Sequence, residues 1–242
     1  MKVLVAGCSF SSGWGFNNSL KSNWVDIIKI KTSWEIKNIA VTGNSNLEIF
    51  LSILNELTQN QYDLILCQFT ALNRITVSSS PENPNVIISH GNNELFESIA
   101  GVNYRDVEIF LKLFTILNQD WKHYINLIKI INVLQSINEK IVFINGLLPW
   151  DRDFFDTQWT VPLPKHNHFV DSLLQTTEFD DYSLDKFLKE VILCRNIINQ
   201  SRWVNLYESW QQTAIDAISP TDPHPGEKSQ VKFANQVLKY IN

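Results

Sequence analysis

An α/β fold built on a parallel sheet is predicted by three observations. Short apolar runs close on Gly, Ser or a polar residue, segments of helical periodicity lie between them, and the chain shows no internal repeat. The length of 242 residues and the hydrophobic fraction of 44% suit one domain spanning residues 1–242, with ample apolar surface for a core.

Lys2 to Ala6 is a compact apolar run ended by Gly7 and is expected to be a buried first strand. Leu20 to Ile30 carries Trp24, Ile27 and Ile28 at helical spacing. A second strand is expected at Glu35 to Ala40, then Gly43 and a helix from about Asn46 to Leu57. Tyr62 to Gln68 is nearly all apolar, as a strand covered on both faces should be. Ser78 to Asn93 is rich in Ser, Pro and Asn and predicts an irregular insertion, about 75–103. A helical region follows from Arg105 to Ser136, and Lys140 to Asn145 is a fourth strand ending at Gly146. A second irregular insertion, about 148–172, holds Trp150 and Trp159. A helix from Leu184 to Asn199 leads to a short fifth strand, Trp203 to Leu206. Glu208 to Ala217 is expected to be helical, Ser219 to Ser229 a loop, and Gln230 to Ile241 the closing helix.

Composition excludes several classes. The net charge is −5 with no long basic run, so the electrostatic footprint of a nucleic-acid binder is missing. Cys8, Cys67 and Cys194 are scattered, which argues against a disulfide framework and for a reducing compartment, here the cytoplasm. The apolar start, MKVLVAGCSF, is too brief for a secretion signal, and no segment approaches membrane-spanning length. No cofactor is expected.

Three segments at loops following strands carry candidate chemistry, because open α/β sheets place their sites there. Gly7-Cys8-Ser9-Phe10-Ser11 puts a serine on a turn, with its hydroxyl toward the crevice and its N–H available to an oxyanion. Asn38 through Ser45 contains Gly43, whose N–H is reached without an intervening side chain. Asp222-Pro223-His224-Pro225-Gly226 supplies a histidine beside a carboxylate, the base an unactivated serine needs. Taken singly, a turn serine is more often a helix cap and an Asp-Pro-His run more often turn chemistry; their order along the chain raises their weight.

That order resembles the SGNH (GDSL-like) hydrolase family over most of the chain. The segment around Ser9 resembles its first block, with Cys8 where many members have Asp. Asn38 to Gly43 resembles the second block, and Asp222 to Pro225 the last. The resemblance implies a three-layer α/β/α sandwich with a mostly parallel, five-stranded, flavodoxin-like sheet. It implies Ser9 as nucleophile, His224 as base, Asp222 as its acid, and an oxyanion hole of Ser9, Gly43 and a side-chain donor. The third block departs from the family's Gly-x-Asn-Asp: Thr70 stands where the asparagine would align, and Asn73 follows. Asn73 is the better-suited donor on chemistry, since an amide N–H₂ donates well. The last block also departs, with Thr221 where the family has Asp and Asp222 one residue nearer the histidine.

Other candidates weigh less. Cys8 as nucleophile is disfavoured because alternation turns it away from Ser9. His166, His168 and Asp171 form a cluster without a second ligand group, so no metal is expected. His90 and His123 have no evident partner. Arg74, Thr70 and Trp14 are candidate substrate-binding residues: Arg74 for bidentate anion contact, Trp14 as an aromatic wall. The function expected is hydrolysis of an ester, such as an O-acetyl ester of a carbohydrate or small metabolite. The alternatives are acyl transfer on the same site and a catalytically silent binding module.

Overall fold

The computed structural model describes residues 1–13, 23–70, 75–77, 86–88, 120–147, 189 and 197–241. The chain divides into two compact units: residues 1–71, 133–150 and 199–242 form the first, 72–132 and 151–198 the second. The expected insertions, about 75–103 and 148–172, lie outside the described residues except for 75–77 and 86–88.

The first unit is built on a parallel sheet of four strands, β1 (Lys2–Ala6), β2 (Glu35–Asn38), β3 (Leu64–Phe69) and β6 (Ile141–Asn145), in the order β2-β1-β3-β6. This is the flavodoxin-like order, in which the chain changes winding direction between β1 and β3 and leaves a crevice at their carboxyl ends. Every residue of β3 and β6 is buried, which accounts for runs that are apolar but for Gln68 and Asn145. Edge strand β2, by contrast, carries Glu35, Lys37 and Asn38 exposed, a charged edge that discourages further pairing.

Helices cover both faces. On one face α2 (Trp24–Lys31) and α6 (Glu227–Ile241) pack together over Val3, Val5, Leu64, Leu66, Val142 and Ile144. Trp210, from the short α5 (Trp210–Thr213), is stacked on Phe233 at 4.5 Å and meets Trp24 edge-on at 5.1 Å. On the other face α3 (Asn46–Leu57) packs on β1 and β3 through Ile49 and Ile53. A helix α4 (Asp120–Ile137) has its first residues, to Asn132, in the second unit and the rest in the first. The second unit also contains an antiparallel pair, β4 (Ile75–Val77) with β5 (Val86–Ile88).

Local chemistry sets the ends. Asn23 and Asp26 form a reciprocal capping box at the start of α2, and Ser45 caps α3 through Glu48 N. A four-residue helix, α1 (Ser9–Ser12), follows β1 and stops at Gly13, whose φ of 84° a side chain would disfavour.

Three expectations need correction. The fifth strand is reduced to a single parallel bridge between Phe143 and Trp203, beyond which Asn145 Nδ2 donates to Asn205 O and Leu206 O. The helix expected to reach Ala217 ends at Thr213: Ile215 and Asp216 give their N–H groups to Ser229 Oγ instead of to helical carbonyls. The loop expected at 219–229 is instead an antiparallel hairpin, β7 (Ala217–Ser219) with β8 (Asp222–Pro225), then the first turn of α6. The stretches 20–22, 105–119, 184–188 and 190–196, expected to be helical, lie outside the described residues.

Candidate active site

Ser9, Gly43, Thr70 and His224 all belong to the first unit, on segments that leave the carboxyl ends of the sheet or return to them. β1 pairs with β3 with Ala6 opposite Cys67, so Ser9 and Thr70 stand at equal distances beyond matched residues. Each is on the first turn past its strand, at the winding switch.

Ser9 opens α1. Cys8 at the N-cap is extended and offers no side-chain cap, so the N–H groups of the first turn are not taken by it. Ser9 is 6% exposed, and its Oγ lies 3.1 Å from His224 Nε2. The other ring nitrogen, Nδ1, is 2.6 Å from Asp222 Oδ1, which also accepts the His224 backbone N–H at 3.0 Å. Phe10 lies edge-on to the imidazole at 5.7 Å. The histidine and aspartate side chains are 30% and 29% exposed, so the chain of contacts opens to solvent at the histidine end and is closed beneath Ser9. One aspartate oxygen thus holds the histidine by both its backbone and its ring. The two-residue spacing allows this because β8 is extended and both side chains fall on one face.

Gly43 is buried and holds φ at 86°, a left-handed turn that glycine adopts without cost. Val41 N–H donates to Gly7 O and Asn38 Nδ2 to Ser11 O at 2.7 Å, while Ser12 Oγ and Thr42 Oγ1 share a hydrogen bond of 2.7 Å. These contacts fasten the Gly43 loop to the Ser9 turn. Next in sequence, Asn46 clamps Thr70: its Oδ1 accepts from Thr70 N at 2.8 Å and its Nδ2 donates to Thr70 O at 3.3 Å. The Thr70 hydroxyl, in contrast, is buried with no hydrogen-bond partner among the described residues.

Cys8 is fully buried, with its Sγ against Gln68 at 3.3 and 3.5 Å. Its backbone N–H donates to Gln68 Oε1 at 3.2 Å. Burial pushes the Cys67 thiol up, far from the thiolate form. Asp216 anchors the start of α6 by accepting from Lys228 N, Ser229 N and Ser229 Oγ. Burial alone would raise this carboxyl; the bonds from Ser229 and Lys228 outweigh it and hold it below its ordinary value.

Trp14, Asn73, Arg74, Trp150, Trp159, His90, His166, His168 and Asp171 lie outside the described residues, as does Cys194. Among the described residues no group of three or more His, Cys, Asp or Glu gathers as metal ligands would, and no helix is long and apolar enough to cross a membrane. Sequence reasoning missed Ser11, Asn46, Gln68 and Gln230, all buried polar residues around the site. Gln68 did leave a signal, as the one polar residue in the run Leu-Ile-Leu-Cys-Gln-Phe.

No family model matches the chain, and no curated protein is significantly similar to it in sequence. Among solved structures it is similar to the psychrotrophic esterase EstA from Pseudoalteromonas sp., at 11% identity over 99% of this chain and 96% of the other, with a TM-score of 0.46. A member of the lipolytic protein G-D-S-L family from Veillonella parvula is similar at 14% identity over 99% and 97%, TM-score 0.41. An acetyl xylan esterase, AlAXEase, is similar at 9% identity over the whole of both chains, TM-score 0.42. These likenesses are distant, and what those proteins act on is a property of theirs.

Proposed function

We propose that this chain is a serine hydrolase that cleaves esters, with Ser9 as nucleophile, His224 as general base and Asp222 as the residue that orients the imidazole. The observation that carries the reading is the unbroken contact chain from Ser9 Oγ through the two nitrogens of His224 to Asp222, at 3.1 and 2.6 Å.

In this reading His224 Nε2 takes the Ser9 proton as Oγ attacks the ester carbonyl carbon. The carbonyl π pair moves onto oxygen, where the N–H groups of Ser9 and Gly43 receive it. Collapse of the tetrahedral species breaks the bond to the alcohol, which leaves with the proton from His224. Water, deprotonated by the same nitrogen, then attacks the acyl-serine and regenerates Ser9. Asp222 bonds to Nδ1 throughout and stabilises the imidazolium formed in each half-reaction.

Two N–H donors meet the oxyanion from the backbone, and a third would come from a side chain. Asn73, the donor preferred on chemistry, lies outside the described residues. Support for Thr70 comes from its buried hydroxyl, which has no partner among the described residues, on the first turn after β3. A buried hydroxyl left without a partner is costly, so a partner that arrives with substrate is a physical reason for keeping it. The buried free thiols of Cys8 and Cys67 suit a reducing, cytoplasmic setting.

Hydrolysis of p-nitrophenyl acetate, butyrate and octanoate and of acetylated xylo-oligosaccharides tests the reading. Turnover of at least one ester by the wild type, lost in Ser9→Ala, is the expected result. Equal turnover by wild type and Ser9→Ala would refute it.

A further inference from the structure

The turn that carries Ser9 and the hairpin that carries His224 are far apart in sequence, yet a buried polar chain runs between them. Gln68 Oε1 accepts from Cys8 N–H at 3.2 Å and from Ser11 Oγ at 2.9 Å, while its Nε2 donates to Phe69 O at 2.7 Å. Ser11 Oγ accepts in turn from Trp24 Nε1 at 3.3 Å. At the other end of the same residue, Trp24 N–H donates to Gln230 Oε1 at 3.0 Å. Gln230 Nε2 then donates to Pro225 O at 3.2 Å, the carbonyl next along the chain from His224. Gln68, Ser11 and Trp24 are fully buried and Gln230 is 1% exposed, so water competes for none of these bonds.

Two of the chain's eight glycines make room for it. A Cβ at Gly7 would stand 2.7 Å from Gln68 Oε1, and one at Gly146 would overlap the Gln68 amide. The Gln68 amide is therefore seated on backbone at two strand ends, and it grips the turn from beneath, at the N–H of the residue preceding Ser9.

We propose that Gln68, Ser11, Trp24 and Gln230 are positioning residues that fix the Ser9 turn against the His224 hairpin, and that Gln230 sets the registry of the imidazole. None of them touches the reacting atoms. They act by holding the 3.1 Å separation between Ser9 Oγ and His224 Nε2 that proton transfer requires. The inference rests on the reading of Ser9 and His224 as nucleophile and base.

Gln230→Met keeps side-chain length but removes both bonds of Gln230, and Ser11→Ala cuts the chain at a different link. Each is compared with wild type, below its own melting temperature, for the rate of labelling by a fluorophosphonate probe and for kcat and KM on p-nitrophenyl acetate. The expected result is labelling and kcat slowed about tenfold or more in each, with KM within about twofold of wild type. The double variant should be no slower than the slower single one, because both cut one chain. Should Gln230→Met not fold, Ser11→Ala carries the test alone. Folded variants that label and turn over at the wild-type rate, whatever their melting temperatures, would overturn the inference and leave the nucleophile and base standing. Multiplying effects in the double variant would overturn the single-chain reading. A wild type that neither labels nor turns over would instead sink the proposed function itself.

Discussion

His224 Nε2 and Ser9 Oγ stand 3.1 Å apart although 215 positions separate them in sequence. The contact joins the first turn after β1 to the last hairpin before α6. It depends on α2 and α6 packing side by side over one face of the sheet, with Trp210 between Trp24 and Phe233.

Asp222→Asn should leave the hairpin folded, since an amide oxygen still accepts the His224 N–H that Asp222 Oδ1 now takes at 3.0 Å. Loss of the negative charge removes stabilisation of the imidazolium. Because Asp222 is partly exposed, a loss in kcat on the order of 10²-fold is expected, less than the ~10⁴-fold of a buried orienting aspartate. Steady-state kinetics on p-nitrophenyl acetate checks it.

Thr70→Val separates a catalytic hydroxyl from a structural one. The hydroxyl has no partner among the described residues, so removing it should hold or raise the melting temperature. If it completes the oxyanion hole, kcat should fall on the order of 10²-fold with the fold intact. A stable variant with wild-type kcat would return the third donor to Asn73.

Gly43→Ala should harm stability and turnover together. A φ of 86° costs a side-chain-bearing residue about 1–2 kcal/mol, and relief of that strain would turn the N–H away from the oxyanion. Urea unfolding and kcat, measured on the same preparation, should both move.

Asp216 gives a pH signature. Its folded carboxyl sits below its ordinary value despite burial, because Ser229 and Lys228 bond to the charged form. A group depressed on folding contributes stability that is present above its unfolded value and is lost as pH falls through the folded one. Wild-type melting temperature should therefore decline as pH drops through and below the ordinary carboxylate range. Asp216→Asn should melt lower at neutral pH and show a shallower decline in acid.

β1, β3, β6 and α3 were legible in the sequence because burial on both faces leaves almost wholly apolar runs, as in Leu64–Phe69, and because Ser45 and Asn46 mark a helix start. The candidate segments stood out through their order along the chain, and Ser9, His224 and Asp222 meet in one chain of contacts. The end of the chain was not: Ser209 and Gln212 do start a helix through a capping box, but Ser229, distant in sequence, pulls Ile215 and Asp216 out of it. Pro223 and Pro225 read as loop formers, yet a two-stranded edge hairpin tolerates them. The polar chain through Gln68 and Gln230 was illegible because its bonds are tertiary; nothing local to either glutamine announces its partners.

Fluorophosphonate labelling of the purified chain reads out directly whether His224 activates Ser9. The wild type should label stoichiometrically at Ser9, with no label in Ser9→Ala and labelling slowed by orders of magnitude in a folded His224→Ala. A folded wild type that takes no label, or a His224→Ala variant that labels as fast as wild type, would contradict it.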